Sequence, residues 1–292
     1  MGLRPLRVMK LIGLFLITYV ALMAGAPATD FERAKDLYQR TDYAGALRIL
    51  LPIGDKNPGV WSLIGQSYFM DGEYKKATEA FDKAVMAEPN NSEYVHWLGR
   101  AYGRRAEMAS PFTALGHASK TRQLFERAVV LDPHNGEALN DLFDYYLNAP
   151  GFLGGGSGKA EQLIQKIEKV DPAEGQYARA QLAEKQKDFT KAEVYFRKAI
   201  ELAPKQVGRL LDLGKFLAMR GRLTEADSAF QQAAHIAPED PRVMFTRAEV
   251  LIKANQNLEE AKKLLRQYLR CRLSPDDPPR EKAQELLKKI GA

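Results

Sequence analysis

One spacing recurs through the chain and constrains it more than any other feature. Ala77, Phe81, Ala84 and Pro89 stand four, three and five residues apart. The same steps return at Ala46-Leu50-Ile53-Pro58, Thr121-Phe125-Ala128-Pro133, Ala160-Ile164-Ile167-Pro172, Ala192-Phe196-Ala199-Pro204 and Ala226-Phe230-Ala233-Pro238. A looser copy is Ala261-Leu265-Tyr268, with Pro275 two residues late. Steps of four and three put three residues on one helix face. The small first residue lets a neighbouring helix come close, and the bulkier one a turn later fills the gap beside it. Proline cannot continue a helix and biases its predecessor away from helical angles, so it marks the end of the helix and the turn. Each copy is therefore read as the second helix of a pair. The apolar members (Phe81, Phe125, Phe196, Phe230) are expected in the core.

The first helix of each pair has its own pattern. Trp61, Gly65 and Tyr68 follow W-x3-G-x2-Y, Leu98-Gly99-x2-Tyr102 repeats it, and Leu210, Leu213 and Gly214 repeat it more weakly. Between Pro58 and Asn91 the residues Trp61, Gly65, Tyr68, Tyr74, Ala77, Phe81, Ala84 and Pro89 together resemble the tetratricopeptide repeat, a helix-turn-helix unit of about 34 residues. The resemblance covers nearly all of 29–275. It implies an all-α, right-handed superhelical solenoid of about seven repeats, with units near 29–57, 58–91, 92–135, 136–172, 173–206, 207–240 and 241–275. Residues 276–292 are expected to form a capping helix over the open apolar end, with Ala283, Leu286, Leu287 and Ile290 on one face.

Two units exceed the regular length, and the excess falls between their paired helices. The third carries about ten extra residues around 104–120, including Arg104, Arg105, Phe112 and His117; the fourth carries about five within 148–159. Insertions in adjacent units emerge on one edge, where they form either a binding face or mere loop growth, which costs little entropy. The stretch Pro150-Gly-Phe-Leu-Gly-Gly-Gly-Ser-Gly-Lys159 is not a phosphate loop. Ala160 follows Gly158-Lys159 where a hydroxyl is required, and Leu153 replaces the first glycine. A sharp glycine corner is expected instead, with Phe152 and Leu153 folded back onto the helices.

Composition bears on compartment and chemistry. The formal charge is +6, but Arg4, Arg7 and Lys10 lie in an acid-free start; without them 40 basic side chains face 37 acidic ones. Signs alternate along the chain, which argues against a nucleic-acid face. The positive start, the apolar run Leu11–Met23 and Ala26-Pro27-Ala28 read as a secretory signal at 1–28, cleaved after Ala28. The alternative is an uncleaved N-terminal anchor. Periplasmic or secreted residence is the expectation, with the membrane touched only through the signal.

Cys271 is the single cysteine, which excludes a disulfide framework and a cysteine zinc site, and a buried thiol is expected there. His96, His117, His134 and His235 show no metal or triad spacing. No catalytic residue, metal or cofactor is assigned, and the chain is read as a binding protein rather than an enzyme.

The concave face of such an array is lined by the first helices. Carrying the family's groove positions onto this chain, as the resemblance implies, gives Gln66, His96, Arg100, Asn140, Asp144, Gln181, Lys215 and Glu249. His96 and Arg100, one turn apart, are expected to face Asn140 and Asp144 as a polar anchor for an extended protein or peptide segment. Ser62 and Gln66 stand where family members that grip a C-terminal carboxylate carry lysine and asparagine, so that clamp is absent. The competing reading is a solute or lipid pocket closed by the insertions, with Arg104, Arg105, Phe112, Phe152 and Leu153 as its candidates.

Overall fold

The structure, a computed structural model, describes residues 29–53 and 56–291; the expected leader at 1–28 lies outside the described residues. Every regular element among the described residues is helical. The helices form seven antiparallel pairs: α1 (Asp30–Gln39) with α2 (Tyr43–Leu50), α3 (Pro58–Met70) with α4 (Tyr74–Ala87), α5 (Ser92–Met108) with α6 (Pro111–Leu131), α7 (Gly136–Asn148) with α8 (Ser157–Val170), α9 (Pro172–Lys185) with α10 (Phe189–Leu202), α11 (Val207–Met219) with α12 (Leu223–Ile236), and α13 (Pro241–Lys253) with α14 (Leu258–Tyr268). A last helix, α15 (Arg280–Lys289), packs on α13 and α14. Each second helix packs on the first helix of the next pair, and α1, α3, α5, α7 and α9 also touch in succession as an inner layer. The molecule is a helical repeat solenoid.

The starts of the helices follow local chemistry. Asn57, Asn91, Asn135, Asp171 and Asp240 each accept from a backbone N–H of the first turn, at 2.8–3.1 Å. Proline occupies the first helical position of α3, α6, α9 and α13, where its missing N–H costs nothing. Asp171 ends α8 and caps α9 at once, so those helices join through one residue. In the first unit Pro52 stops α2 early, which leaves Ile53 outside the helix its spacing assigned it to.

Pair spacing is set at one contact. A Cβ added to Gly65 would lie 2.7 Å from the Phe81 ring, one on Gly99 2.7 Å from Phe125, and one on Gly214 2.6 Å from Phe230. The ring of the second helix therefore lies on the backbone of the first, and only glycine permits it. The equivalent residue is Ala34, Ala180 or Ala248 in three other units, all fully buried. The fourth unit inverts the arrangement, with Phe143 on the first helix and the smaller Ile164 on the second, both buried in one cluster. Large and small trade places while the space stays filled.

The insertions are not loops of the kind the sequence implied. Nothing between Arg104 and Met108 breaks a helix, so α5 runs on to Met108; Ser110-Pro111 then starts α6 after a two-residue turn. Residues 104–120 are thus mostly extra helical turns. In the fourth unit the excess is a single tight turn, Gly151–Leu153, followed by Gly154 at φ 86°. A Cβ on Gly155 would sit 1.9 Å from the Ala149 carbonyl oxygen, so the corner requires glycine.

The two ends of the array meet. Tyr43, Asp71 and Tyr74 from the first two pairs, and Ser274, Asp277 and Arg280 from the segment leading into α15, line one cleft of about 690 Å³. Arg280 donates to the carbonyls of Leu269 and Cys271, which fixes that segment on the last pair.

Candidate functional site

The site is where the two long units adjoin. Extra turns of α5 and α6 form one wall, α7 another, and the glycine corner closes the end. Together they enclose an open cleft of about 490 Å³. Its lining is mostly apolar: Phe69 from α3, Ala106, Ala118, Phe125, Pro150 and Leu153. The polar groups stand above that floor: Arg100, Arg104 and Glu107 on α5, with Asp141, Asp144 and Asn148 on α7. An apolar cleft with a few convergent polar groups is the general form of a recognition site.

Most of these polar groups are engaged. His96 Nε2 lies 2.7 Å from Asp141 Oδ2, and Arg100 Nε lies 3.6 Å from the same oxygen. The Arg100 guanidinium also stands 4.3 Å from the Trp97 ring centroid and 5.4 Å from that of Phe69, a cation held over two aromatic faces. Arg104 donates to the Tyr74 hydroxyl at 3.2 Å and pairs with Glu107. Tyr145 donates to the Leu153 carbonyl at 3.0 Å, tying the glycine corner to α7.

Asp144 differs from its neighbours. Water reaches its carboxyl, yet the concavity crowds it with protein, and no cation of the described residues pairs with it. Loss of hydration, reinforced by the negative charges of Asp141 and Glu174, pushes its pKa up to about 6. Several other acids of the inner layer are paired. Glu174 pairs with Arg209, Asp212 lies 3.5 Å from Lys215, and Glu249 lies 3.6 Å from Lys253.

The residues expected to line the groove separate into three groups. Arg100 and Asp144 share the cleft with Arg104 and Leu153. His96 is not an exposed anchor: it is 1% exposed, packed 5.6 Å from the Phe125 ring, and its acid partner is Asp141. With Gln66 it lies at a neighbouring polar recess beside the starts of α5 and α7, where Gln66 donates to Ser62. Asn140, Gln181 and Lys215 line neither space.

The insertion candidates divide as well. Arg105 lies over the Tyr102 ring, away from the cleft, and Phe112 projects from α6 at 91% exposure. Leu153 folds inward, whereas Phe152 is 79% exposed. Successive side chains of so tight a turn point about a third of a circle apart, so both could not face the helices.

Asp141 went unnoticed in the sequence because it sits one position past the expected Asn140. The available signal was register: counted from the spacing residue, Asp141 and Asp212 occupy the place that Leu63, Trp97 and Ala178 hold elsewhere. The same row carries Glu32 and Thr246 in the first and last units, so what sets Asp141 apart is the His96 that the preceding unit brings against it. Cys271 is half-buried rather than buried; desolvation pushes its thiol up, which leaves it a poor nucleophile. Among the described residues, no group of three or more His, Cys, Asp or Glu could hold a metal ion, and no helix is long and apolar enough to cross a membrane.

Three family models described as tetratricopeptide repeats match the chain, at residues 58–91, 173–206 and 217–290. No curated protein matches it. Among solved structures it is similar to a tetratricopeptide repeat protein from Parabacteroides merdae, with a TM-score of 0.58 and 17% identity over 89% of this chain and 96% of that one. A thermophilic TPR protein of Thermus thermophilus gives 0.54 and 19%, covering 64% of this chain and 97% of that one. A human IFIT1 dimer with PPP-AAAA gives 0.55 and 20%, covering 82% of this chain and 54% of that one. These are likenesses of fold.

Proposed function

The chain belongs to the tetratricopeptide repeat family, and from that premise we propose that it is an exported interaction scaffold which takes an extended segment of a partner protein into the cleft between its third and fourth pairs. One observation carries this reading. The two units that carry insertions between their paired helices place those extra residues around one cleft, and the groove residues Arg100 and Asp144 line that same space. A chain that needed only to stack would have no use for walls there. Apolar burial on Phe69, Phe125 and Leu153 supplies binding energy, and the polar rim fixes orientation. Export rests on the basic start, the apolar run Leu11–Met23 and the small residues before the proposed cleavage after Ala28.

The second reading, a solute or lipid pocket, draws on the same mostly apolar lining. One experiment separates the two. A displayed library of random twelve-residue peptides is selected on wild type, and the survivors are tested on Ala118→Trp, whose indole fills the cleft from a half-buried position on α6. A protein-segment site predicts peptides that lose binding to the filled variant while its circular dichroism and Tm stay unchanged. Peptides indifferent to the filling, or no selected peptide at all, would overturn it. Native mass spectra showing a small molecule that departs on filling would favour the pocket. Amino-terminal sequencing of the exported protein tests cleavage: a first residue of Thr29 is expected, and an intact Met1 would refute it.

A further inference from the structure

Asp144 has no cation of its own, and the two cations that share its cleft are committed elsewhere. Arg100 is 3.6 Å from Asp141 and lies over the Trp97 and Phe69 rings; Arg104 is bound to Glu107 and the Tyr74 hydroxyl. We propose that the cleft selects a partner segment carrying a lysine or arginine beside an apolar side chain, with the basic group on the Asp144 carboxylate and the apolar one on the floor of Phe125, Leu153 and Ala118. This rests on the reading of the cleft as a protein-binding site, and it names the chemistry of what binds.

Three facts converge on a basic group. The carboxylate is open to water and therefore open to a ligand. It stands at the edge of an apolar floor, where a charge pair is screened less than on a convex surface. Four other acids of the inner layer show what this surface does with a carboxylate when the chain itself provides a cation: Asp141, Glu174, Asp212 and Glu249 are met by His, Arg or Lys. At Asp144 the chain provides none, and the position faces the space left by the longer walls. Burial alone would be relieved by substituting a neutral residue, whereas an arriving cation offsets the lost hydration only when the carboxylate is kept.

Protonation gives the interaction a second signature. Facing Asp144 are Asp141 on its own helix, Glu174 and Tyr177 on α9, and Arg100, Arg104 and Glu107 on α5. A pKa of about 6 means the carboxyl is largely neutral at pH 5 and charged at pH 7.5.

The test uses the peptide selection on the full exported chain, repeated with Asp144→Asn, Asp144→Glu and Asp144→Lys. Lysine and arginine should be enriched among cleft-dependent peptides selected by wild type and by Asp144→Glu, and not among those selected by Asp144→Asn. Asp144→Lys should favour aspartate and glutamate. For a selected basic peptide, Asp144→Asn should weaken binding roughly tenfold, as expected for one partly desolvated charge pair. The wild-type affinity should fall several-fold from pH 7.5 to pH 5, and the Asn variant should not follow. Cleft-dependent peptides with no basic preference, or basic peptides indifferent to Asp144→Asn, would overturn this inference while leaving the protein-segment reading intact. A selection that yields no cleft-dependent peptide would remove both.

Discussion

The sixth and third pairs are built on the same contact and use it differently. In α11–α12 the Phe230 ring lies on Gly214, the helices have 13 and 14 residues, and the pair ends where its packing ends. In α5–α6 the Phe125 ring lies on Gly99 in the same way, but the helices run to 17 and 21 residues. The added turns lie beyond the shared contact, so they raise a wall without changing the spacing of the stack. The fourth pair keeps the spacing by another route, with Phe143 inward from the first helix. The difference separates two jobs within one repeat: the ring-on-backbone contact holds neighbours in register, and whatever is attached past it is free to become a site.

The strongest way to break that comparison is at Phe143. It is 2% exposed and fills the space that a phenylalanine of the second helix fills elsewhere. Phe143→Ala should cost about 3–5 kcal/mol in urea unfolding, as for a large aromatic removed from a packed core. Because repeats couple to their neighbours, amide exchange should accelerate most in α5 to α9. Adding Ile164→Phe should return part of the loss by restoring the regular arrangement; no recovery would mean that the fourth pair is not an inversion of the others.

A smaller effect is expected at the glycines. Gly214→Ala and Gly99→Ala each force a methyl to within 3 Å of a ring, and each should cost roughly 1–3 kcal/mol by overpacking. The comparison predicts similar values for the two, since the long helices do not alter the contact. A change in Tm at one and not at the other would show that the extra turns reach into the core after all.

The repeat was legible because its physics is local and periodic. Ala77, Phe81 and Pro89 each state a geometry, and five exact copies and one looser copy of their spacing state it again. The cleft was legible only in part. Length bookkeeping located the excess at 104–120 and 148–159, but the absence of a helix breaker before Ser110-Pro111, which makes that excess a wall, has to be weighed against a repeat template that suggests a loop. Arg100 and Asp144 followed from register. His96 did not, because the partner that buries it, Asp141, comes from another repeat and departs from the register by one position. Periodicity within a unit says which face a residue occupies; it does not say what the next unit brings against it.

The smallest effect is the most specific to the cleft. In an unfolded chain the Asp144 carboxyl titrates near about 3.9, and in the fold its pKa rises to about 6. Between those values the native state binds the proton more readily than the unfolded state does. The contribution of Asp144 to stability is therefore fully present below about pH 4 and is lost as pH rises through about 6. Asp144→Asn, which cannot ionise, should accordingly unfold at a higher Tm than wild type at pH 7.5 and at nearly the same Tm at pH 4. Water reaches the side chain, so screening keeps the gain under about 1 kcal/mol. An equal difference at both pH values would show that the carboxyl is not held in a crowded concavity. A saturating basic peptide should shrink the gain at pH 7.5, because a cation on the carboxylate offsets the cost that the amide avoids.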